Sequence, residues 1–446
     1  MLDVLTAEDV RRQDAACEAR GLSTETLMGN AGYAIAAAAR RMLGGAYGKR
    51  IVVACGKGNN GGDGLVAGRV LSAWGAAVTA VMVLGEDISG AAGRALERFP
   101  GPRIGPEGFV REAARADLVI DAIFGVGLSR APEGPAAHVI AQLSSMGARV
   151  LSVDVPSGMN ADTGHADGAV VHPHRTVTLG GLKPGLLFNG LVQAGAVEVA
   201  DIGVPADLRG GIAAALEASD VAAIVPRRNV RANKRNVGTV LVIAGSRAMP
   251  GAAALVAGAS VHTGSGLTTV AAPESAIPVI VSRVPECTTI PLPDSSEGTL
   301  DLKAVELIRP RLNEFHAVAI GPGLSRHEAA VEAILTLVAE IEVALVIDAD
   351  AISAFAGTPE ALRGRGAPLI LTPHPGELSR LMKTSVFDNE ADRLTAARDT
   401  AAVTGGHVLL PGTGTVVASP SGELFINPTG GPALAQGGSG DVLTGM

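Results

Sequence analysis

Apolar residues along this chain fall into short blocks, and each block in the first half is followed by glycine or proline within two residues. Ile51–Cys55, Ala77–Leu84, Leu118–Ile123, Val150–Val155 and Arg175–Leu179 are such blocks. Runs of this kind, bounded by turn residues, read as strands buried on both faces, the type found in parallel sheets. Helical signals lie between or before them. Thr6 with Asp9 three positions on forms a capping box that opens a helix, Ser23–Leu43 reads as a second, and Leu65–Trp74 as a third. Alternation of strands and helices predicts a parallel sheet with right-handed crossovers and a ligand crevice at the carboxyl ends of its strands.

From Gly210 to Val230 the chain becomes alanine-rich and then basic at Arg227, Arg228, Arg231, Lys234 and Arg235, the pattern of a connecting helix and a linker. The alternation then restarts. A strand is expected to start in the Val237–Gly245 stretch, and Ser246 with the Gly251–Val256 run leads into a helix. Further strands are expected at Leu267–Ala271, Ala317–Ile320, Ala344–Ile347, Leu369–Leu371, Val408–Leu410, Val416–Ala418 and Leu424–Ile426, with helices around Glu328–Val338 and Asp388–Val403. The halves share no repeat, which implies two unrelated α/β units: residues 1–215, a linker at 216–230, and residues 231–446.

At 446 residues and 44.8 kDa the chain has room for two or three domains. A net charge of −8 and a pI near 5.6 argue against a nucleic-acid footprint and against a basic patch for a membrane. Small molecules are the expected partners, and a homo-oligomer the expected assembly. The amino terminus carries acids where a signal peptide needs bases, and no apolar run reaches membrane-spanning length, so a cytoplasmic protein is expected. Cys17, Cys55 and Cys287 are too few and too scattered for a disulfide framework or a metal set.

The polar residues at the expected strand ends carry the chemistry. Gly56, Gly58 and Gly61 formally satisfy G-x-G-x-x-G, with Glu86 where a ribose-binding acid would fall. Asp63, however, lies where a pyrophosphate would sit and would repel it. The competing reading is a loop whose asparagines and carboxylate hold neutral polar groups or a cation. Asp121 on its own could cap a turn, Lys183 could be a surface lysine before a proline, and His172 and His174 have no acid or cysteine cluster to complete a metal site. Near the carboxyl end, Gly437, Gly438 and Gly440 permit close backbone approach, and Val442-Leu443 look like the start of a helix, whose first amides attract phosphate. Asp441 beside that cradle would accept a proton from an attacking hydroxyl; the alternative is a plain helix cap.

Three motifs in order, Asn59–Gly64, Asp121–Gly127 and Val153–Gly158, resemble the NAD(P)H-hydrate epimerase family over about residues 1–210. In the second half, Lys234–Gly238, Gly245-Ser246, Gly321–Leu324, Asp348–Ala351, Thr372–Glu377 and the Asn427–Asp441 run resemble the NAD(P)H-hydrate dehydratase branch of the ribokinase-like superfamily. The resemblance implies a Rossmann-like three-layer α/β/α epimerase domain followed by a ribokinase-like α/β domain. For the first it implies a potassium ion (K+) held by oxygens of Asn60, Asp121 and Ser157. The hydrated nicotinamide of NADHX or NADPHX would lie against Asn59, Asn60, Gly61, Gly62, Asp63, Gly125, Val126, Gly127, Leu128, Ser129, Arg130, Ala131 and Asp154, with Lys183 as the proton-transfer partner of Asp154.

For the second domain the resemblance implies that Ala252, Gly323, His374 and Asp441 line the substrate pocket. Pro411, Gly412, Thr413, Gly414 and Thr415, with Gly437, Gly438, Ser439 and Gly440, would embrace ADP and its magnesium (Mg2+). Phosphorylation of the ring hydroxyl of the S epimer would make it a good leaving group, and the first domain would interconvert R and S. Two departures stand out. Pro411 occupies a position where the family usually has lysine, removing a charge and a backbone donor. The sequence ends at Met446, five residues past Asp441, where the resemblance implies a full helix and further elements. The rival expectations are a ribokinase-like small-molecule kinase with an accessory ligand-binding domain, and a nucleotide-binding sensor without turnover.

Overall fold

Local signals at the start of the chain are met atom by atom. The Thr6 hydroxyl accepts from Asp9 N (3.1 Å) while the Asp9 carboxylate accepts from Thr6 N (3.0 Å), and helix Ala7–Ala19 begins there. Ser23 caps the next helix, Thr24–Leu43, which stops at Gly44 with φ 68°. The computed structural model describes residues 1–188, 193–385 and 392–446. They divide into two units, Met1–Glu217 and Ala218–Met446.

The first unit contains strands β1 (Leu2–Val4), β2 (Arg50–Cys55), β3 (Ala77–Met82), β4 (Arg103–Ile104), β5 (Leu118–Ala122), β6 (Val150–Val153), β7 (Arg175–Leu179), β8 (Ala196–Ala200) and β9 (Ala213–Ala215). Seven form one parallel sheet in the order β4-β3-β2-β5-β6-β7-β8. Helices Thr24–Leu43 and Asn59–Ala73 cover one face, over a core that includes Ile51, Val53, Leu65 and Ile120. Helices Phe109–Ala113 and Gly134–Ser145 cover the other, over Val52, Val119, Phe109 and Ile140. Chain order reverses between β2 and β5, and this is the topological switch point where a crevice opens. The edge strands β4 and β8 were not expected: one is two residues long and the other carries Glu198 in its middle, so neither shows an uninterrupted apolar run. β1 pairs with β9 and touches the loop after β7, through Leu5 N to Leu182 O (2.7 Å) and Leu182 N to Asp3 O (2.8 Å).

One boundary differs from expectation. The helix after β2 starts at Asn59, not Leu65, so Gly61, Gly62 and Gly64 are helical. Their smallness serves packing against protein, not against a dinucleotide. A Cβ on Gly56 would lie 1.9 Å from the Ile123 carbonyl oxygen, and one on Gly61 would lie 2.1 Å from the Gly56 carbonyl oxygen. The strand-to-helix turn is thereby drawn down onto the end of β5.

In the second unit the strands are β10 (Thr239–Ile243), β11 (Leu267–Pro273), β12 (Thr288–Leu292), β13 (Ala317–Ile320), β14 (Ala344–Ile347), β15 (Leu369–Leu371), β16 (His407–Leu410), β17 (Thr415–Ala418) and β18 (Leu424–Asn427). They lie in the order β18-β17-β16-β15-β14-β13-β10-β11-β12, parallel from β12 to β16 and antiparallel through β17 and β18. The switch point is between β10 and β13. β12 was not expected because Thr288, Thr289 and Pro291 interrupt its apolar pattern. Helix Glu328–Glu340 lies where expected. Of the helix expected from Asp388, positions 388–391 lie outside the described residues, and the described part runs Asp392–Thr404. Among the described residues no helix is long and apolar enough to cross a membrane.

The close approach at the first switch point gives a stability test. Gly61→Ala forces the Gly56 carbonyl to move and should destabilise the first unit by about 1–3 kcal/mol, the usual cost of overpacking. A lower urea midpoint for the first unit, with the second unit's transition unmoved, is the expected result.

Candidate active sites

The carboxyl ends of β2, β5, β6 and β7 bring together the polar residues of the first unit. Asn59, Asn60 and Asp63 stand in the opening turns of the helix after β2. The Gly125–Ala131 loop follows β5, half-buried at Gly125 and Val126 and exposed at Ser129 and Arg130. Asp154 follows β6 at φ 67°, a left-handed backbone that a non-glycine residue adopts only where its surroundings hold it. It is held by one oxygen. Asp154 Oδ1 accepts from Lys183 Nζ (2.5 Å), Leu179 N (3.2 Å) and Thr178 Oγ1 (3.3 Å). Oδ2 has another environment: a Cβ built on Gly125 would sit 3.3 Å from it and 3.1 Å from Asn60 Oδ1. The unsaturated carboxylate oxygen and the Asn60 amide therefore flank one surface of Gly125.

Lys183 is 1% exposed, and its ammonium also donates to Leu179 O (2.8 Å), Thr178 Oγ1 (3.1 Å) and Gly181 O (3.2 Å). With every proton engaged, the ammonium holds Asp154 Oδ1 in a fixed place. Removing either partner would strand a buried charge, at a cost of about 3–5 kcal/mol.

Asp121 is fully buried at the end of β5. Its carboxylate accepts from Ser152 Oγ (2.7 Å), Ser157 N (2.9 Å) and Ser157 Oγ (2.5 Å), and Ser157 Oγ also reaches Phe124 O (3.2 Å). Burial pushes the Asp121 carboxyl up despite these donors. Asn60 Nδ2 is buried without a partner. The Asn60 amide oxygen together with the Asp121 carboxylate, the Ser157 hydroxyl and the Phe124 carbonyl would make a donor set of hard oxygens. Such a set fits a weakly polarising cation. Among the described residues no group of three or more His, Cys, Asp or Glu side chains is placed to hold a metal, so a softer transition-metal site has no basis there.

One acid was not signalled by any motif. Asp14, on helix Ala7–Ala19, is coupled electrostatically to Asp154, Asp63 and Lys183, and burial followed by the Asp154 charge raises its carboxyl.

In the second unit the same logic holds around the β10/β13 switch. Ala252, in helix Pro250–Thr263, meets Gly323 after β13: a Cβ on Gly323 would lie 3.0 Å from that of Ala252. His374 caps helix Pro375–Met382, its Nδ1 accepting from Gly376 N (3.0 Å) while Glu377 Oε2 accepts from His374 N (3.0 Å). Nδ1 is thus an acceptor, which leaves the proton of the neutral ring on Nε2. Asp348, at the end of β14, accepts from Thr444 Oγ1 (2.5 Å), and burial raises its carboxyl.

Asp441 lies in the helix Ser439–Gly445, which starts two residues before it and not behind it as expected, with Gly438 at φ 93° as the turn into the helix. The helix is seated on helix Pro250–Thr263, where a Cβ on Gly445 would come within 2.1 Å of Val256 O. Burial, and then the Asp348 charge, push Asp441 up to about 6. Gly437 and Gly440 are exposed and Ser439 Oγ donates to Leu434 O (2.8 Å).

The Pro411–Thr415 segment is the turn between β16 and β17. Beneath it lies Arg393, 2% exposed, donating to Leu410 O (2.8 Å) and Thr413 O (2.8 Å). A cation thus supports the turn from below, although Pro411 offers none from above. No motif foretold Arg393, since a lone arginine in a helix gives no sign that it is buried.

Known proteins share both units. A family model described as NAD(P)H-hydrate dehydratase matches residues 240–446, and one described as YjeF-related protein N-terminus matches residues 24–185. The chain is 39% identical over 440 residues to a bifunctional NAD(P)H-hydrate repair enzyme of Moorella thermoacetica, covering 94% of this chain and 82% of that protein. Against the enzyme of the same name from Gloeobacter violaceus it is 40% identical, with 99% and 87% covered. The solved structure of the ADP/ATP-dependent NAD(P)H-hydrate dehydratase from Bacillus subtilis, co-crystallised with ATP and magnesium, is 36% identical, with 51% of this chain and 77% of that chain covered and a TM-score of 0.43.

The raised Asp441 carboxyl has a consequence for stability. Folded protein holds this proton more tightly than unfolded chain, so the stabilisation is full below the unfolded value of 3.8 and is lost as pH rises through about 6. Asp441→Asn should therefore melt at the wild-type temperature below pH 4 and above it past pH 6. Parallel melting curves across that window check the sign.

Proposed function

The chain belongs to the family of bifunctional NAD(P)H-hydrate repair enzymes, and from that premise we propose that its first unit interconverts the R and S epimers of NADHX and NADPHX while its second returns the S epimer to NADH or NADPH with phosphoryl transfer from ADP. The observation that carries the reading is Asp441: a half-buried carboxyl with a raised proton affinity at the first turn of a helix that opens from a glycine run. Such a group near neutral pH is poised as a general base. It takes the proton of the substrate hydroxyl as that oxygen attacks the terminal phosphoryl, and the Gly437–Gly440 backbone amides offset the charge on the transferred group. Phosphate is a better leaving group than hydroxide, and its departure from C6, with a proton lost from C5 to solvent so that the C5=C6 bond forms, restores the dihydropyridine.

His374, Ala252 and Gly323 shape the substrate side of that pocket, and the Pro411–Thr415 turn, buttressed by Arg393, shapes the nucleotide side. Magnesium, when bound, screens the nucleotide phosphates. It would come largely on the nucleotide, as this ion usually keeps waters and one or two carboxylates. In the first unit, potassium would be held by Asn60, Asp121 and Ser157 and would orient the polar end of the hydrated ring. Three buried thiols without a disulfide suit the cytoplasm as the compartment.

Mixed-epimer hydrated NADH with ADP or ATP and magnesium tests the reading directly. Recovery of reduced-nicotinamide absorbance supports repair; a stable phosphorylated product would support a kinase, and binding without turnover a sensor. Asp441→Asn should lose dehydration by at least about 100-fold while R/S exchange continues. Asp154→Asn should consume the S epimer at the wild-type rate and leave the R epimer behind, read by chiral chromatography. Exchanging potassium for a bulky organic cation should slow epimer exchange and spare dehydration of pure S epimer.

A further inference from the structure

The first site holds more acid than its ion pair uses. Lys183 is fully engaged by Asp154 Oδ1 and by three neutral oxygens. Asp63 and Asp14 remain, on two other elements, the helices Asn59–Ala73 and Ala7–Ala19. Asp63 is 7% exposed, and its carboxyl takes no hydrogen bond from any described residue. It shares its helix face with Asn60, three residues earlier, whose amide nitrogen is also buried without a partner. A nearly buried carboxyl that no protein donor holds is left to interact with what enters from solvent.

We propose that Asp63 is the general acid of the epimerase site, working opposite Asp154 as the general base. This rests on the epimerase reading of the first unit and adds the acid that reading lacks. Asp63 gives its proton to the ring hydroxyl at C6 as the C6–O bond breaks with both electrons on oxygen, and water leaves. The ring-nitrogen lone pair forms the C6=N1 bond of an iminium cation. Water adds to the opposite face of C6, the C=N electron pair returns to nitrogen, and the added water loses its proton to Asp154 Oδ2. Asp63 ends charged and Asp154 protonated; the reverse epimerisation, or exchange with solvent, resets them.

Two features fit this division. The oxygen of Asp154 that Lys183 does not use is the one beside Gly125 and Asn60, where the motif residues converge. Once Asp63 has released its proton, both carboxylates face a ring that has just become cationic, so the surplus negative charge stabilises the state that is hardest to reach. The charged groups coupled to Asp63 are Asp154, Asp14 and Lys183. Burial first, then the charges of Asp154 and Asp14, push its carboxyl well up, with Lys183 opposing. Asp154 is paired to lysine and Asp63 to no side chain, a difference in partners that assigns base and acid.

The test is the rate of R/S exchange by the full chain with potassium present, followed across pH. Asp63→Asn should lower kcat by at least about 100-fold with KM little changed, and Asp63→Glu should recover part of it. Asp14→Asn should move the alkaline limb of the profile to lower pH, because it removes a negative charge that holds the Asp63 proton. A raised KM with wild-type kcat in Asp63→Asn, or an alkaline limb unmoved by Asp14→Asn, would overturn the assignment. If instead the wild-type chain gives no acceleration of exchange, the epimerase reading itself is wrong. Circular dichroism melts of each variant separate lost chemistry from lost folding.

Discussion

A parallel sheet whose chain order reverses must leave a gap at the carboxyl ends of two neighbouring strands, because their crossovers depart to opposite faces. Both units are built on that constraint. In the first, β2 and β5 border the gap, and in the second β10 and β13 do. The chain can afford buried carboxylates only where backbone amides and hydroxyls satisfy them, and strand ends meeting helix starts supply both. Asp121 with Ser152 and Ser157, Asp154 with Leu179 and Lys183, and Asp348 with Thr444 are three solutions to the same problem.

The solutions differ in what they leave available. Asp121 has all its acceptor capacity turned inward and serves the frame or a cation. Asp154 has one oxygen saturated and one open, so its position is fixed while part of it can still react. Asp441 has its charge opposed by burial and by Asp348, which raises its proton affinity. Preorganisation of this sort relies on the rigid elements beneath, since a reacting oxygen misplaced by an ångström loses much of its effect.

Much of this was legible in the sequence because parallel strands announce themselves as uninterrupted apolar blocks and their ends as polar motifs. Thr6, Ser23 and the blocks at Ile51 and Leu118 did so without ambiguity. What stayed hidden had physical causes. β4, β8 and β12 lie at or near sheet edges, where alternation and β-branched runs weaken. The helix at Asn59 was masked by glycines that propensity assigns to loops, although packing against Gly56 and Ile123 requires them. Asp14 belongs to a helix far along the chain from the loops it serves, and Arg393 to the helix just before β16, and neither location shows in the pattern of a single element. The glycine run before Asp441 was legible as special, yet its helix begins at Ser439, three residues earlier than the apolar pair Val442-Leu443 indicates.

The seat of that last helix decides how Asp441, the proposed base, is aimed. Gly445 rests against the Val256 carbonyl with no room for even a methyl group, while Asp441 stands one helical turn away. The short helix thus works as a lever with its fulcrum at a bare backbone contact: a shim of one carbon under residue 445 would tilt the opposite end and retract the carboxylate. Alignment of this pocket is set from a place that never meets a substrate.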